Sequence, residues 1–254
     1  MLSFIKPFRI FIIALTAAII VVIVKHLLHS LGWELIEQSS LHNGVISSVT
    51  FVLGFILSAT IADYKESERI PSDFATNIED MYNDGLEIYS SYPVFDIEGY
   101  RKQLRKIALG FGNDARKRTA DSRKAIRELG PYLTAMEIGK VPPNFIVKLK
   151  QQQTLLLRSR QRVDYIQRIR FIPSATILAR SIVGMVITLL LFTNIDPFYG
   201  GLAIIGILTF VLVYMLVLIN IISTPFHAAG STRDDVSLFL IKDAAAHLTK
   251  KSDE

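Results

Sequence analysis

A stripe of serine and phenylalanine side chains lies within one apolar stretch of the sequence, residues 45–64. Ser47, Phe51, Phe55 and Ser58 are three or four positions apart, so on an α-helix they share one face. If about five copies of this helix surrounded one axis, the phenylalanines would form stacked rings, and such a hydrophobic constriction can gate ions by dewetting. The same stripe also fits simple contact with lipid or with other helices. The rest of the chain has to separate these two interpretations.

Composition favours a membrane protein. The chain has 254 residues, half of them hydrophobic, with a mean hydropathy of +0.37 and a formal charge of +5. Soluble domains of this length seldom have positive mean hydropathy. The absence of cysteine excludes disulfides, zinc–thiolate sites, iron–sulfur clusters and cysteine nucleophiles. A pI near 9.3 fits the basic cytoplasmic segments of a membrane protein better than nucleic-acid binding, so no nucleic-acid partner is expected.

Four long apolar stretches predict four transmembrane helices, because about 20 apolar residues cross the hydrocarbon core. Lys6 and Arg9 precede the first stretch, as in a signal peptide. That stretch is longer than a signal sequence and is followed by bulky Trp33 rather than a small-residue cleavage site, so we expect a retained span. The four stretches are residues 8–28, 45–63, 172–195 and 202–222.

The distribution of basic residues predicts the topology. The loops 30–43 and 194–201 contain no Lys or Arg, whereas the N-terminus, the middle region and the tail are rich in them. By the positive-inside rule, both termini and the middle region are cytoplasmic. We therefore expect a multi-pass protein of a plasma membrane, with a prokaryotic membrane favoured. The predicted domains are a first transmembrane pair in 1–64, a cytoplasmic helical domain in 65–171, a second pair in 172–222 and a cytoplasmic tail in 223–254.

The middle region has helical patterning without any strand pattern. Pro71 is predicted to begin a helix, residues 92–96 to end it, and a second helix to follow around 99–111. A long helix is expected over 145–170, after a break at 141–143. The basic stretch 101–127 is mixed with acids, so a solvated helical face is favoured over binding of nucleic acid or anionic lipid headgroups.

Few residues suggest a metal or catalytic site. His26 and His29 are spaced i, i+3, but no third ligand is near them in sequence, so ordinary interfacial residues are expected and no metal. Arg180 lies early in the third apolar stretch, where it can snorkel or pair with an acid such as Asp63. Metalloprotease, P-loop and nucleophile-elbow motifs are absent, and Glu66 and Glu68 look like surface charge. We expect neither enzymatic activity nor a cofactor.

Two separated segments resemble the bestrophin family. Residues 51–55, FVLGF, with the charged run 64–69 and then Ile70-Pro71, resemble the bestrophin pore helix. Residues 165–173, YIQRIRFIP, resemble the segment that leads into the third span of prokaryotic bestrophins. After the fourth span, Pro225-Phe226 and residues 234–238, DDVSL, are similar to that family's Pro-Phe-Gly and Asn-Asp-Leu-Pro-Leu. The order and spacing of these matches carry more weight than any one of them.

The resemblance implies an all-α membrane protein with four transmembrane helices in a 2+2 arrangement and a helical cytoplasmic domain, assembled as a cyclic homopentamer. Bestrophins are ion channels that mostly pass chloride and other small anions, although a bacterial relative favours cations. The implied partners are therefore other copies of the chain, small inorganic ions and the lipid bilayer. The implied pore neck is Ser47, Phe51 and Phe55, with Ser48 and Ser58 as further lining residues and Phe145 at a cytoplasmic aperture.

This chain departs from the family pattern at two places. A bulky aliphatic residue is common where Ser47 falls, so the outer end of the neck is expected to be wider and wetter. Animal bestrophins bind calcium through an acidic run after the last span, whereas only Asp234 and Asp235 occur here, beside Arg233. We expect these two residues to cap a helix over 236–248, and we expect no calcium activation.

The stripe in the second span favours anions over cations. The edge of an aromatic ring is electropositive, and no acidic residue lies on the stripe. Two alternatives remain open from the residues: a cation-selective channel of the same fold, and a membrane-anchored scaffold or regulatory protein in which Phe51 and Phe55 only pack.

Overall fold

Helices form nearly all the regular structure in the computed structural model, which describes residues 8–168, 173–226 and 235–249. In chain order the elements are α1 (Arg9–Ser30), β1 (Ile36–Glu37), α2 (Ser40–Ser91), α3 (Ile97–Lys117), α4 (Asp121–Arg127), α5 (Gly130–Ile138), α6 (Pro143–Arg168), α7 (Pro173–Phe192), β2 (Thr193–Asn194), α8 (Phe198–Ile222) and α9 (Phe239–His247). They divide into two units. The membrane unit is residues 8–64 and 173–224, and the polar unit is residues 65–168, 225–226 and 235–249.

The membrane unit contains four helices that are long and apolar enough to cross a bilayer, which confirms the four predicted spans. They are α1, the apolar first part of α2, α7 and α8. Helix α1 packs along α8 and α7. The approach to α8 is close at Gly206, where a Cβ would lie 3.1 Å from Val22 Cγ2. A small residue at this point therefore lets the two helices approach, as is usual for membrane helices.

A short parallel strand pair joins the two interhelical loops of this unit. Ile36 is paired with Thr193 and Glu37 with Asn194. The sequence shows no strand pattern at either loop. Each strand has only two residues, too few for any alternation of apolar and polar side chains to show.

The polar unit is built from residues 65–91 of α2 together with α3, α4, α5, α6 and α9. Its core includes Phe74 stacked on Phe111, with ring centroids 3.9 Å apart. Tyr100 is fully buried and donates its hydroxyl to the carbonyl oxygen of Met81 at 3.0 Å, and burial raises the pKa of Tyr100. The hydrogen bond supplies the partner that a buried phenol requires.

The second predicted span is part of a much longer helix than expected. Pro71 was predicted to begin a new helix, but it lies inside α2, which is 52 residues long. An interior proline costs a helix about 3 kcal/mol because it lacks an N–H and crowds the preceding turn. Here Ile70, Phe74 and Ile78 are buried around it. Burying three such side chains contributes more than the proline removes, at about 1.5–3 kcal/mol each.

The remaining boundaries follow local signals closely. The break at 92–96 is confirmed, and α3 begins where Asp96 Oδ1 accepts a hydrogen bond from the N–H of Gly99 at 2.9 Å. The long helix predicted over 145–170 is confirmed as α6, which starts two residues earlier at Pro143. Proline is favoured in the first helical turn because its missing N–H has no helical partner there.

The expected capping of the last helix was wrong for Asp235, and Asp234 lies outside the described residues. Helix α9 begins at Phe239, with Leu238 as its N-cap and no side-chain cap. The segment before it is not helical because its groups bond elsewhere: the N–H of Val236 donates to the carbonyl oxygen of Pro225 at 3.0 Å. Val236 and Leu238 are also buried.

Candidate functional site

The serine–phenylalanine stripe lies on one open face of α2. Phe51 is 75% exposed and Phe55 is 70% exposed, and Ser47 and Ser58 are exposed as well. Phenylalanine side chains are normally buried in a soluble protein. Their exposure within a candidate span means that lipid or another copy of the chain covers them.

The opposite face of the same helix is anchored in the core of the membrane unit. Leu53 is fully buried there, in a cluster with apolar side chains of α7 and α8 such as Val183 and Leu212. The rotation of α2 about its own axis is therefore fixed, because turning the stripe inward would expose Leu53. No atom lies within 4 Å of the position that a Cβ on Gly54 would take, so this glycine also faces open space.

Hydroxyl groups along this part of α2 bond to their own helix. Ser48 is exposed, and its Oγ donates to the carbonyl oxygen of Gly44 at 2.8 Å. Thr50 and Thr60 make the same contact with Ile46 and Ile56. The donors of these three hydroxyls are thus already used, which lowers the polarity of the helix surface.

Phe145, the residue expected at an aperture, lies in the first turn of α6 and belongs to the polar unit. Its side chain is 38% exposed. The stripe residues share one helix face, whereas Phe145 sits on a different element of a different unit.

A buried ionic cluster near the short strand pair was missed by sequence reasoning. Lys25 of α1 is only 1% exposed. Its ammonium group contacts three oxygens: Glu34 Oε1 at 2.5 Å, the carbonyl of Thr193 at 2.5 Å and the carbonyl of Leu191 at 3.2 Å. An ammonium group has three donors, so this set of acceptors satisfies it. One signal was available: a lysine at the end of a span whose following loop carries acids but no Lys or Arg.

The carboxylate of Glu34 contacts both Lys25 and His29. The side chain of Glu34 is 8% exposed, and its Oε2 lies 2.7 Å from His29 Nδ1. Burial acts to raise the pKa of Glu34, but the hydrogen bonds from Lys25 and His29 outweigh it and lower the pKa. The His29 ring stacks on Phe198 at 3.8 Å between centroids. His29 is therefore held by a carboxylate and an aromatic ring, and His26 also lies against Phe198.

Arg180 finds a partner inside the membrane unit. Its Nη2 donates to Asn220 Oδ1 of α8 at 2.8 Å. This contact with an amide links α7 to α8 and gives the guanidinium a structural role. Across the described ranges, no group of three or more His, Asp or Glu side chains is placed to hold a metal ion.

Neither a family model nor a curated protein matches the sequence. The structure, in contrast, is similar to solved structures of a bacterial bestrophin homologue from Klebsiella pneumoniae. One of them has a TM-score of 0.76 at 15% identity, covering 95% of this chain and 96% of that one. Two single-residue variants give TM-scores of 0.79 and 0.77 at 14% identity, covering 94% and 97% of this chain and 95% and 98% of theirs. The chain therefore has the bestrophin fold, and the resemblance seen in the sequence is confirmed at the level of the fold.

Proposed function

We propose that this chain is a divergent bestrophin-like channel, a cyclic homopentamer that conducts ions passively through a neck lined by α2. The observation that carries the proposal is the exposed stripe of Phe51 and Phe55 on a span whose opposite face is locked into the core. Five copies around an axis would cover this stripe and stack the phenylalanines into two rings. Ser47 and Ser48 would line the wider outer end, Ser58 the inner end, and Phe145 an aperture in the polar unit.

The proposed membrane arrangement follows the basic residues. Residues 65–171 and both termini lie in the cytoplasm, and the loop that carries Glu34 lies on the other side. The solved structures that this chain resembles are of a bacterial bestrophin homologue, which supports a channel rather than an enzyme.

Anion conduction is the selectivity that we propose. The neck stripe carries no carboxylate, and ring edges would present positive electrostatic potential to the permeating ion. Water must leave a constriction of this kind for the pore to close, so the phenylalanine rings also act as the gate. Chloride and other small anions are the expected permeant ions.

The reversal potential of the purified protein in a planar bilayer under a KCl gradient tests the proposal. Phe51→Ala and Phe55→Ala should each widen the neck and raise the conductance or open probability. Ile20→Ala is the matched control, because Ile20 is an exposed apolar residue on α1, outside the stripe. Reversal near the chloride potential supports anion conduction.

Other outcomes separate the alternatives. Reversal near the potassium potential would leave a channel of the same fold with the opposite selectivity. A folded oligomer without current, with both phenylalanine variants equally silent, would favour a membrane-anchored scaffold. A monomer or dimer in detergent, measured by light scattering, would exclude the pentameric pore.

A further inference from the structure

A cleft between α3 and α4 concentrates positive charge in the polar unit. Its volume is about 440 Å³, and three of its cations come from α3 and one from α4. Among the lining residues that the structure describes, Asp121 is the one carboxylate, so four cations against one anion leave a formal charge of +3. Small-molecule sites typically have volumes of about 300–1,000 Å³. The four cations are Lys102, Arg105, Lys106 and Lys124.

Most of this charge has no internal counter-ion. Lys106 Nζ pairs with Glu128 Oε2 at 2.7 Å, and this contact holds the pKa of Glu128 below its usual range. Within the described ranges, Lys102, Arg105 and Lys124 make no direct ion pair, although the charge of Lys124 also acts on Glu128 from a longer distance. Three like charges from two helices face a shared space, and each raises the electrostatic cost of the others.

The walls of the cleft are fixed by close packing and by buried polar contacts. A Cβ on Gly110 would lie 2.8 Å from the backbone nitrogen of Ser122, so α3 and α4 touch there without a side chain between them. Gln103 Nε2 donates to the carbonyl of Ala125 at 2.6 Å. The buried carboxylate of Asp114 accepts the N–H of Asp121 at 2.8 Å and also bonds to the hydroxyl of Ser122. The two helices that carry these exposed cations are thus fixed relative to each other, so binding a ligand does not have to order the backbone as well.

We propose that this cleft binds a phosphate ester that carries at least two negative charges. Three unpaired cations match a multiply charged anion better than a single carboxylate or chloride, and Lys and Arg are the usual donors to phosphate oxygens. Leu109 lines the same cleft with its side chain half exposed, so it offers an apolar contact to the organic part of the ester. Soluble nucleotides and the headgroup of phosphatidic acid share this chemistry.

Calorimetry on the full chain in detergent tests the site, with ATP and inorganic triphosphate as probes. This binding measurement does not depend on whether the protein conducts ions. Lys102→Gln/Lys124→Gln should weaken binding at least about tenfold, since it removes two charge-assisted hydrogen bonds to the phosphate oxygens. Lys150→Gln/Arg158→Gln removes the same charge from exposed positions of α6 and should leave binding within about twofold. An equal loss in both double variants would overturn the proposal, because it would show only a diffuse counter-ion effect.

Flotation with phosphatidylcholine vesicles containing phosphatidic acid distinguishes the two sources of phosphate. A soluble ligand is assigned if ATP binds in detergent and the cleft variant floats like the wild type. A lipid headgroup is assigned if ATP does not bind and the cleft variant alone loses its preference for phosphatidic acid. The absence of both effects refutes the site.

A footprint on the unmodified protein keeps the test valid if the cleft variant does not fold. Acetylation of Lys102 and Lys124, followed by mass spectrometry, should slow at least about threefold with saturating ATP or phosphatidic acid, while Lys150 serves as the internal reference. Equal acetylation of all three lysines with and without these probes would contradict the proposal.

Discussion

Replacing Lys25 by methionine should destabilise the membrane unit strongly. The ammonium group of Lys25 joins a carboxylate and two backbone carbonyls that are 166 and 168 positions away in the chain. Methionine fills similar space but leaves Glu34 with His29 as its neighbour and deprives the carbonyls of Leu191 and Thr193 of this donor.

The expected size of the effect follows from burial. Breaking a buried ion pair by removing one partner typically costs about 3–5 kcal/mol, because the other charge is left uncompensated. Glu34 keeps His29 as a second neighbour, so the lower end of this range applies. A loss of about 3 kcal/mol lowers the Tm of a chain of this size by about 6–12 °C.

The double variant Lys25→Met/Glu34→Gln separates the lost attraction from the stranded charge. It removes both charges, so it should be more stable than Lys25→Met alone, with a coupling energy of about 1–3 kcal/mol. Circular-dichroism melting of the four proteins in one detergent gives the cycle. Lys150→Met, at an exposed position, should stay within about 0.5 kcal/mol of the wild type. Additive effects of the two single variants would refute the idea that Lys25 and Glu34 act as a pair.

Three further predictions concern stability and can be measured by the same melting experiments. The pKa of Glu34 is lowered from its ordinary value of 4.5, so the stability that this carboxylate contributes is present above pH 4.5 and is lost as the pH falls through the folded-state pKa. Glu34→Gln should therefore make the Tm less dependent on pH in the acid range. Gly110→Ala should cost about 1–3 kcal/mol because its Cβ meets the backbone of α4, whereas Gly112→Ala, which meets nothing within 4 Å, should stabilise the same helix by about 0.5–1 kcal/mol. Asp114→Asn should cost about 3 kcal/mol, since the buried guanidinium of Arg160 lies 3.5 Å from that carboxylate; an unchanged Tm would show that Arg160 relies on other partners.

The sequence predicted the elements whose signals are local. Four apolar stretches of sufficient length predicted four spans, and the break at 92–96 was predicted between α2 and α3. The sequence failed at Pro71, where a strong local signal for a helix boundary was overridden by burial of Phe74 and its neighbours. Propensity acts over a few residues, whereas burial depends on the whole fold.

The candidate site was predictable only in part. Spacing alone placed Ser47, Phe51 and Phe55 on one face, and the structure shows that face open. The identity of what covers it depends on other copies of the chain, and the pore assignment stays a prediction. Lys25 was missed because its acceptors include carbonyls far along the chain, and backbone groups carry no residue-type signature.

The contacts of Lys25 imply an order of assembly during synthesis. Glu34 is nine positions away and emerges almost together with the lysine, so their ion pair can form while only the first span has been made. The carbonyl of Leu191 belongs to the last turn of α7, which leaves such groups without helical partners, and the carbonyl of Thr193 belongs to β2 directly after it. Until those carbonyls arrive, two of the three donors of Lys25 are left to water. Helix α1 therefore carries, from the start of synthesis, the ammonium group that will bind the carbonyls at and directly after the end of α7, which is made more than 160 residues later.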